Sequence, residues 1–234
     1  EDIMGGASQA FEGGWTKVKL YFMLGLPTET EEDMKEIARL SDKIARRYYE
    51  IPKEERHGKC QITASTSFFV PKPFTPFQWA TMCTKEEFLR RAYLVKDKFR
   101  QMLNYKSLKY NYHEADLTVL EGVLARGDRK VAAVVEEVYK NGALFDSWGE
   151  NFDNDLWMKA FETCGVDPDF YTVRERSLDE VFPWDFIDAG VSKEFLKREW
   201  KQAMNETVTP NCRQKCSGCG ARVFGGGVCF EGKN

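Results

Sequence analysis

Seven cysteines occur in the chain, and four of them, Cys212, Cys216, Cys219 and Cys229, fall within the last 23 residues. An odd total crowded toward one end points to ligation rather than to a disulfide framework. Four sulfur donors suit tetrahedral Zn2+ or an auxiliary iron-sulfur cluster, and ligand softness does not choose between them. Gly218, Gly220 and the run Gly225, Gly226, Gly227 let the backbone wrap a metal, and they equally suit a tail that binds none. Cys60, Cys83 and Cys164 are scattered and read as small buried hydrophobes.

Other groups are read more plainly. His113, Glu114 and Asp116 could form an acid-base set, but a strand exit followed by helix-capping carboxylates is the preferred reading. Asp146, Glu150, Asp153 and Asp155 lack the Gly-centred order of a calcium loop and read as a solvated helix start. Arg126, Asp128 and Arg129 read as a salt-bridged helix junction. His57 lies in a polar loop. Neither a Walker A loop nor a Ser-His-Asp order is visible.

The elements that would position these groups are legible from spacing. A helix is expected over 3–12, stopped by Gly13 and Gly14. KVKLYFMLGLPTET (17–30) is the most definite stretch, with an apolar run from Val18 to Leu24 expected to be a strand buried on both faces of a parallel sheet. Gly25, Leu26 and Pro27 break it, and Thr28 or Thr30 caps an acidic helix start. CQITASTSFFV (60–70) is a second strand, and PKPFTPFQW (71–79) is a stiff aromatic loop. That loop reads as packed, with a ligand-facing role as the alternative. After a helix over 85–103 and a short strand over 107–113 the pattern turns helical. Breaks at Gly127-Asp128 and Asn141-Gly142 bound two helices, Asp153 or Asn154 caps a third, and Ser192 caps the last.

The 234 residues are 42% hydrophobic and 14% aromatic, ample for a real core. Lys and Arg total 34 against 37 Asp and Glu, a net charge of -3, so no global field favours nucleic acid or anionic membrane. No apolar run approaches the roughly 20 residues that span a bilayer, and the chain reads as cytoplasmic.

KLYFMLGLPTETEED, SFFVPKPFTPFQW, LEGVLARGDRKV, FDSW, PWDFIDAGVSKEFL and CRQKCSGCG together resemble the radical SAM proteins that also carry a cobalamin-binding domain. The likeness covers nearly the whole chain. It implies an α/β fold, the C-terminal portion of a partial (βα)6 radical SAM barrel over 1–113, followed by a mainly helical extension over 114–205 and a Cys-rich metal-binding tail over 206–234. In such proteins a [4Fe-4S] cluster cleaves S-adenosylmethionine to a 5'-deoxyadenosyl radical. The resemblance sets 18–24 and 61–70 as the fifth and sixth barrel strands. It places Met23, Gly25, Leu26 and Pro27 near the cofactor's adenine, with Val70 and Pro71 at the adjoining strand end. A tight strand-to-helix turn accounts for Gly25 and Pro27 equally well.

Cys212, Cys216 and Cys219 share the C-x3-C-x2-C count of the motif that defines this superfamily. That motif must precede the barrel, however, and it usually has an aromatic before its third cysteine, where this chain has Gly218. The catalytic cysteines and the cobalamin domain are therefore expected upstream of Glu1, and the remainder of its own polypeptide is the expected partner. The expected function is a C-terminal fragment of a radical SAM enzyme, inactive alone, with its substrate unassigned. The alternative is a non-catalytic, metal-stabilised module that binds RNA or protein.

Overall fold

The computed structural model describes residues 2–224. The chain divides into two compact units, Glu1–Phe69 with Cys83–Thr118, and Val70–Met82 with Val119–Asn234.

The first unit alternates helix and strand: α1 (Asp2–Glu12), β1 (Lys17–Leu24), α2 (Glu31–Tyr49), β2 (Gln61–Phe68), α3 (Lys85–Arg100) and β3 (Leu108–Tyr112). Local chemistry sets the limits of the helices. The Thr30 hydroxyl accepts from the Asp33 amide while the Asp33 carboxylate accepts from the Thr30 amide, a complete capping box, and Glu31, Glu32 and Asp33 sit at the positive end of α2. Thr84 caps α3 in the same way through the Glu87 amide.

The three strands form one parallel sheet in the order β1-β2-β3. The register pairs Val18 with Ile62 and Leu108, and Leu20 with Ala64 and Tyr110. Even-numbered strand residues therefore share one face, and this face packs on the helices. Val18, Leu20, Ile62 and Leu108 join Phe11 of α1 and Ile44, Ala45 and Tyr48 of α2 in one core. Phe68 stacks on Phe88 of α3 at 4.5 Å between ring centroids, and Tyr110 stacks on Phe99 at 5.2 Å.

Among the described residues the odd-numbered face has no such cover. Lys17, Lys19, Tyr21 and Met23 are all exposed, so β1 is buried on one face rather than on both. The reason is topological: β1 is an edge strand, and the helices of its unit lie on one side. The α/β expectation holds, whereas the three strands described are an open sheet and do not close into a barrel.

The second unit comprises α4 (Ala115–Arg126, entered from the first unit), α5 (Lys130–Lys140), α6 (Asn154–Thr163), α7 (Pro168–Tyr171) and α8 (Lys193–Met204). Val123, Val131, Val134, Val138, Trp157 and Phe161 form its main core. Trp79, Phe182, Trp184 and Leu196 form a second. Asp153 and Ser192 cap α6 and α8 through side-chain oxygens. The loop over 71–79 is packed: buried Gln78 accepts from the Trp184 indole at 2.9 Å and from the Phe74 amide at 3.2 Å. No helix among the described residues is long and apolar enough to cross a membrane.

Candidate functional site

The open face of the sheet is built in rungs. From the N-terminal end these are Lys17 with Gln61, then Lys19, Thr63 and Lys109, then Tyr21, Ser65 and Asn111, then Met23 with Ser67. Nearly every group is polar, in contrast to the apolar face behind it. Neighbouring strands lie about 4.8 Å apart, so the Lys19 and Lys109 backbones are about 10 Å apart across Thr63. Successive rungs are about 7 Å apart along the strands. Thr63 is buried, and its hydroxyl oxygen accepts weakly from the Gln61 side-chain Nε2 at 3.4 Å, leaving the O–H free to donate. Such a surface, made of ammonium, hydroxyl and amide groups, is suited to binding and orienting.

The edge of β1 is bare in a regular way. The Gln61 amide donates to the Thr16 carbonyl at 2.9 Å and the Phe69 amide to the Leu24 carbonyl at 2.8 Å. Alternation along a strand then turns the backbone groups of even residues toward β2 and those of Lys17, Lys19, Tyr21 and Met23 outward, away from the sheet.

Ligand sites on parallel β/α sheets gather at the C-terminal ends of the strands, here the Met23 and Ser67 rung. Met23 is 43% exposed, and its thioether is free to lie against a flat ring. Gly25 behaves differently. It is buried with φ +92°, and a Cβ there would meet the Phe88 ring at 2.8 Å and the Cys83 sulfur at 3.3 Å. Its missing side chain admits Phe88 of α3. The Gly25 amide donates to Glu29 Oε2 at 2.8 Å, and Arg91 clamps the same carboxylate at 2.6 Å. Leu26 and Pro27 are half-buried within this turn, closed by the Glu29 amide on the Leu26 carbonyl at 3.2 Å. Val70 and Pro71 are buried and open the second unit.

Burial pushes the Cys60 thiol up to about 11 and the Cys83 thiol above its ordinary value, so both are inert. Burial also raises Tyr110 to about 12, against the opposing effect of its hydrogen bond to Thr66 at 2.8 Å. His113 and Glu114 are exposed, and Asp116 is engaged by Lys85 at 2.7 Å. Asp146 accepts from the Trp157 indole at 3.0 Å, and Asp153 caps α6.

Arg126 departs from the expected salt-bridged junction. It is buried with no carboxylate partner among the described residues, and it donates to the backbone carbonyls of Thr172 at 3.3 Å and Gln78 at 3.4 Å. Asp128 instead accepts from the Tyr171 hydroxyl at 2.9 Å. Burial, then the neighbouring Arg176 and Arg174, push the Arg126 guanidinium down to about 9.

The cysteine tail lies against α8: the Ser192 amide donates to the Cys219 carbonyl at 2.8 Å, Arg198 donates to the Ser217 carbonyl, and Cys216 lines a cleft of about 240 Å³. Cys212 and Cys216 are exposed, and Cys229 lies outside the described residues. No group of three or more His, Cys, Asp or Glu among the described residues is placed to hold a metal, so the donor set expected from the spacing is not assembled there.

The rungs of the open face carry a period-two signal that reading β1 as doubly buried passed over. Lys17 and Lys19 alternate with Val18 and Leu20, while Thr63, Ser65 and Ser67 alternate with Ile62, Ala64 and Phe68.

No protein-family model matches this sequence, and no solved structure gives a significant match. An uncharacterized protein of Methanocaldococcus jannaschii is 28% identical over 165 residues, which cover 70% of this chain and 33% of that relative. The matched segment is thus about a third of the relative's length.

Proposed function

We propose that this chain is the C-terminal part of a larger, cobalamin-binding radical SAM enzyme, and that the open face of β1, β2 and β3 lines the cavity in which that enzyme works. The observation that carries this reading is the one-sided sheet among the described residues: three parallel strands with helices on one face, polar groups on the other, and no strand on the outer edge of β1. Parallel sheets are stable with both faces covered, so a bare face and a bare edge together call for further strands. The archaeal relative, of which the matched segment is only 33%, is long enough to supply them.

In the intact enzyme S-adenosylmethionine bound to a [4Fe-4S] cluster would supply a carbon-centred radical, on cysteines from outside this chain. This chain's residues bind and orient. Met23 packs on the flat adenine at the C-terminal end of the face, and the clamp of Glu29 and Arg91 fixes the turn that follows it. Tyr21, Ser65 and Asn111 offer neutral hydrogen-bonding groups to a substrate one rung deeper. The Cys-rich tail keeps its proposed zinc or auxiliary cluster, but it enters no step.

The longer protein, reconstituted anaerobically with iron and sulfide, is expected to cleave S-adenosylmethionine reductively, while this chain alone does not. Cleavage by the isolated chain, or none by the longer protein, would sink the assignment.

One observation favours a second reading, a non-catalytic module for RNA or protein: Leu144, Phe145 and Trp148 of the second unit are 57%, 73% and 61% exposed. Retention of a partner by the wild type and its loss in Phe145→Ser/Trp148→Ser would favour that reading.

A further inference from the structure

The open face carries charge of one sign. Lys17, Lys19 and Lys109 project from it, none of the three has an ion pair among the described residues, and no strand residue on that face is acidic. This is notable in a chain whose net charge is -3. Lys19 and Lys109 flank Thr63 in a single rung, so two flexible ammonium stems are rooted on either side of one hydroxyl that is free to donate. The neutral rungs of Tyr21, Ser65 and Asn111 and of Met23 and Ser67 follow toward the C-terminal end.

We propose that this face binds a small ligand through an oxyanion, a carboxylate or a phosphate, held between Lys19 and Lys109 with the Thr63 hydroxyl as third donor. This deepens the radical SAM reading and rests on it for the substrate's role. Lys19 and Met23 are four residues apart, about 13 Å along the strand, and a lysine stem spans about half of that. An anionic group held at this rung therefore leaves a substrate's reacting carbon several ångströms away, beside Met23. The substrate class is a compact molecule with a neutral reacting end and an anionic tail.

The test is a titration of the full 234-residue chain, at low ionic strength, with inorganic phosphate in one arm and succinate in the other. It is followed by NMR at the Thr63 and Ser65 amides and at the lysine side chains. Saturating shifts are expected in at least one arm, the stronger arm naming the anion. Lys19→Gln and Lys109→Gln should each weaken binding about tenfold, a charge-assisted hydrogen bond apiece. Lys19→Arg should restore it, and Lys53→Gln, in an exposed turn distant in sequence, should leave it unchanged.

Shifts that never saturate, or an equal loss with Lys53→Gln, would overturn the assignment. So would binding that this chain shows and the longer protein lacks, because the lysines would then serve as partners for carboxylates on further strands. The titration contains neither cluster nor S-adenosylmethionine. A negative result beside intact cleavage removes only the anion site, whereas anion binding without cleavage removes the radical SAM reading and leaves the site.

Discussion

Gly25 meets two requirements at once, a φ of +92° and a close approach of the Phe88 ring, whose nearest carbon would lie 2.8 Å from any Cβ. Both penalties fall on Gly25→Ala, which should cost about 3 kcal/mol in urea unfolding from backbone strain and overpacking together. A Phe88→Leu background should recover about 1 kcal/mol of that loss, the steric part. An unchanged penalty would mean that the ring moves aside without cost. The turn was legible because Gly and Pro after an apolar run announce a break, and the cap was legible because Thr30 and Asp33 stand three residues apart. The reason for the glycine was not. Phe88 lies 63 residues further on, and nothing local to KVKLYFMLGLPTET names it.

At the scale of elements, α4 and the segment that follows α7 are held by charge in a way that sequence spacing conceals. Burial and then the nearby Arg176 and Arg174 lower Arg126, and burial with a smaller push from Arg174 lowers Arg176. Glu180 is the carboxylate that Arg174 and Arg176 share, at 2.6 Å and 3.2 Å, its bond holding Arg174 above its ordinary value. Burial alone would raise the Glu180 carboxyl, but the bond from Arg174 and then the charge of Arg176 outweigh it and hold the group below its ordinary 4.5. A carboxylate with a depressed folded-state pKa stabilises fully above the unfolded value and loses that contribution as pH falls through the folded one. Glu180→Gln should therefore cost about 2 kcal/mol at pH 7, between the values for exposed and fully buried pairs. The gap to the wild type should narrow steadily as pH drops below 4.5. A gap that stays constant with pH would assign the loss to packing. The surroundings of Arg126 are not legible in the sequence, because backbone carbonyls 46 and 48 residues away leave no side-chain signature. Helix limits fared better, since caps and glycine stops act within one turn.

For the whole molecule, the proposed function requires the first unit to be the end of a larger sheet. Its even-numbered face is finished, with Phe11, Tyr48, Phe88 and Phe99 closing over the strands. Its odd-numbered face and the outer edge of β1 are not. The apolar run at 18–24 concealed this, because Tyr21 and Met23 look like core residues and only the lysines at 17 and 19 mark the open side.

Amide hydrogen exchange along β1, compared between this chain and the longer polypeptide, tests the point most directly. In this chain the amides of Val18, Leu20, Phe22 and Leu24 should be protected by β2, and those of Lys19, Tyr21 and Met23 should exchange quickly. In the longer protein the second set should become protected too, as a further strand takes the edge. Slow exchange at Lys19, Tyr21 and Met23 in this chain, or fast exchange there in both, would contradict the account.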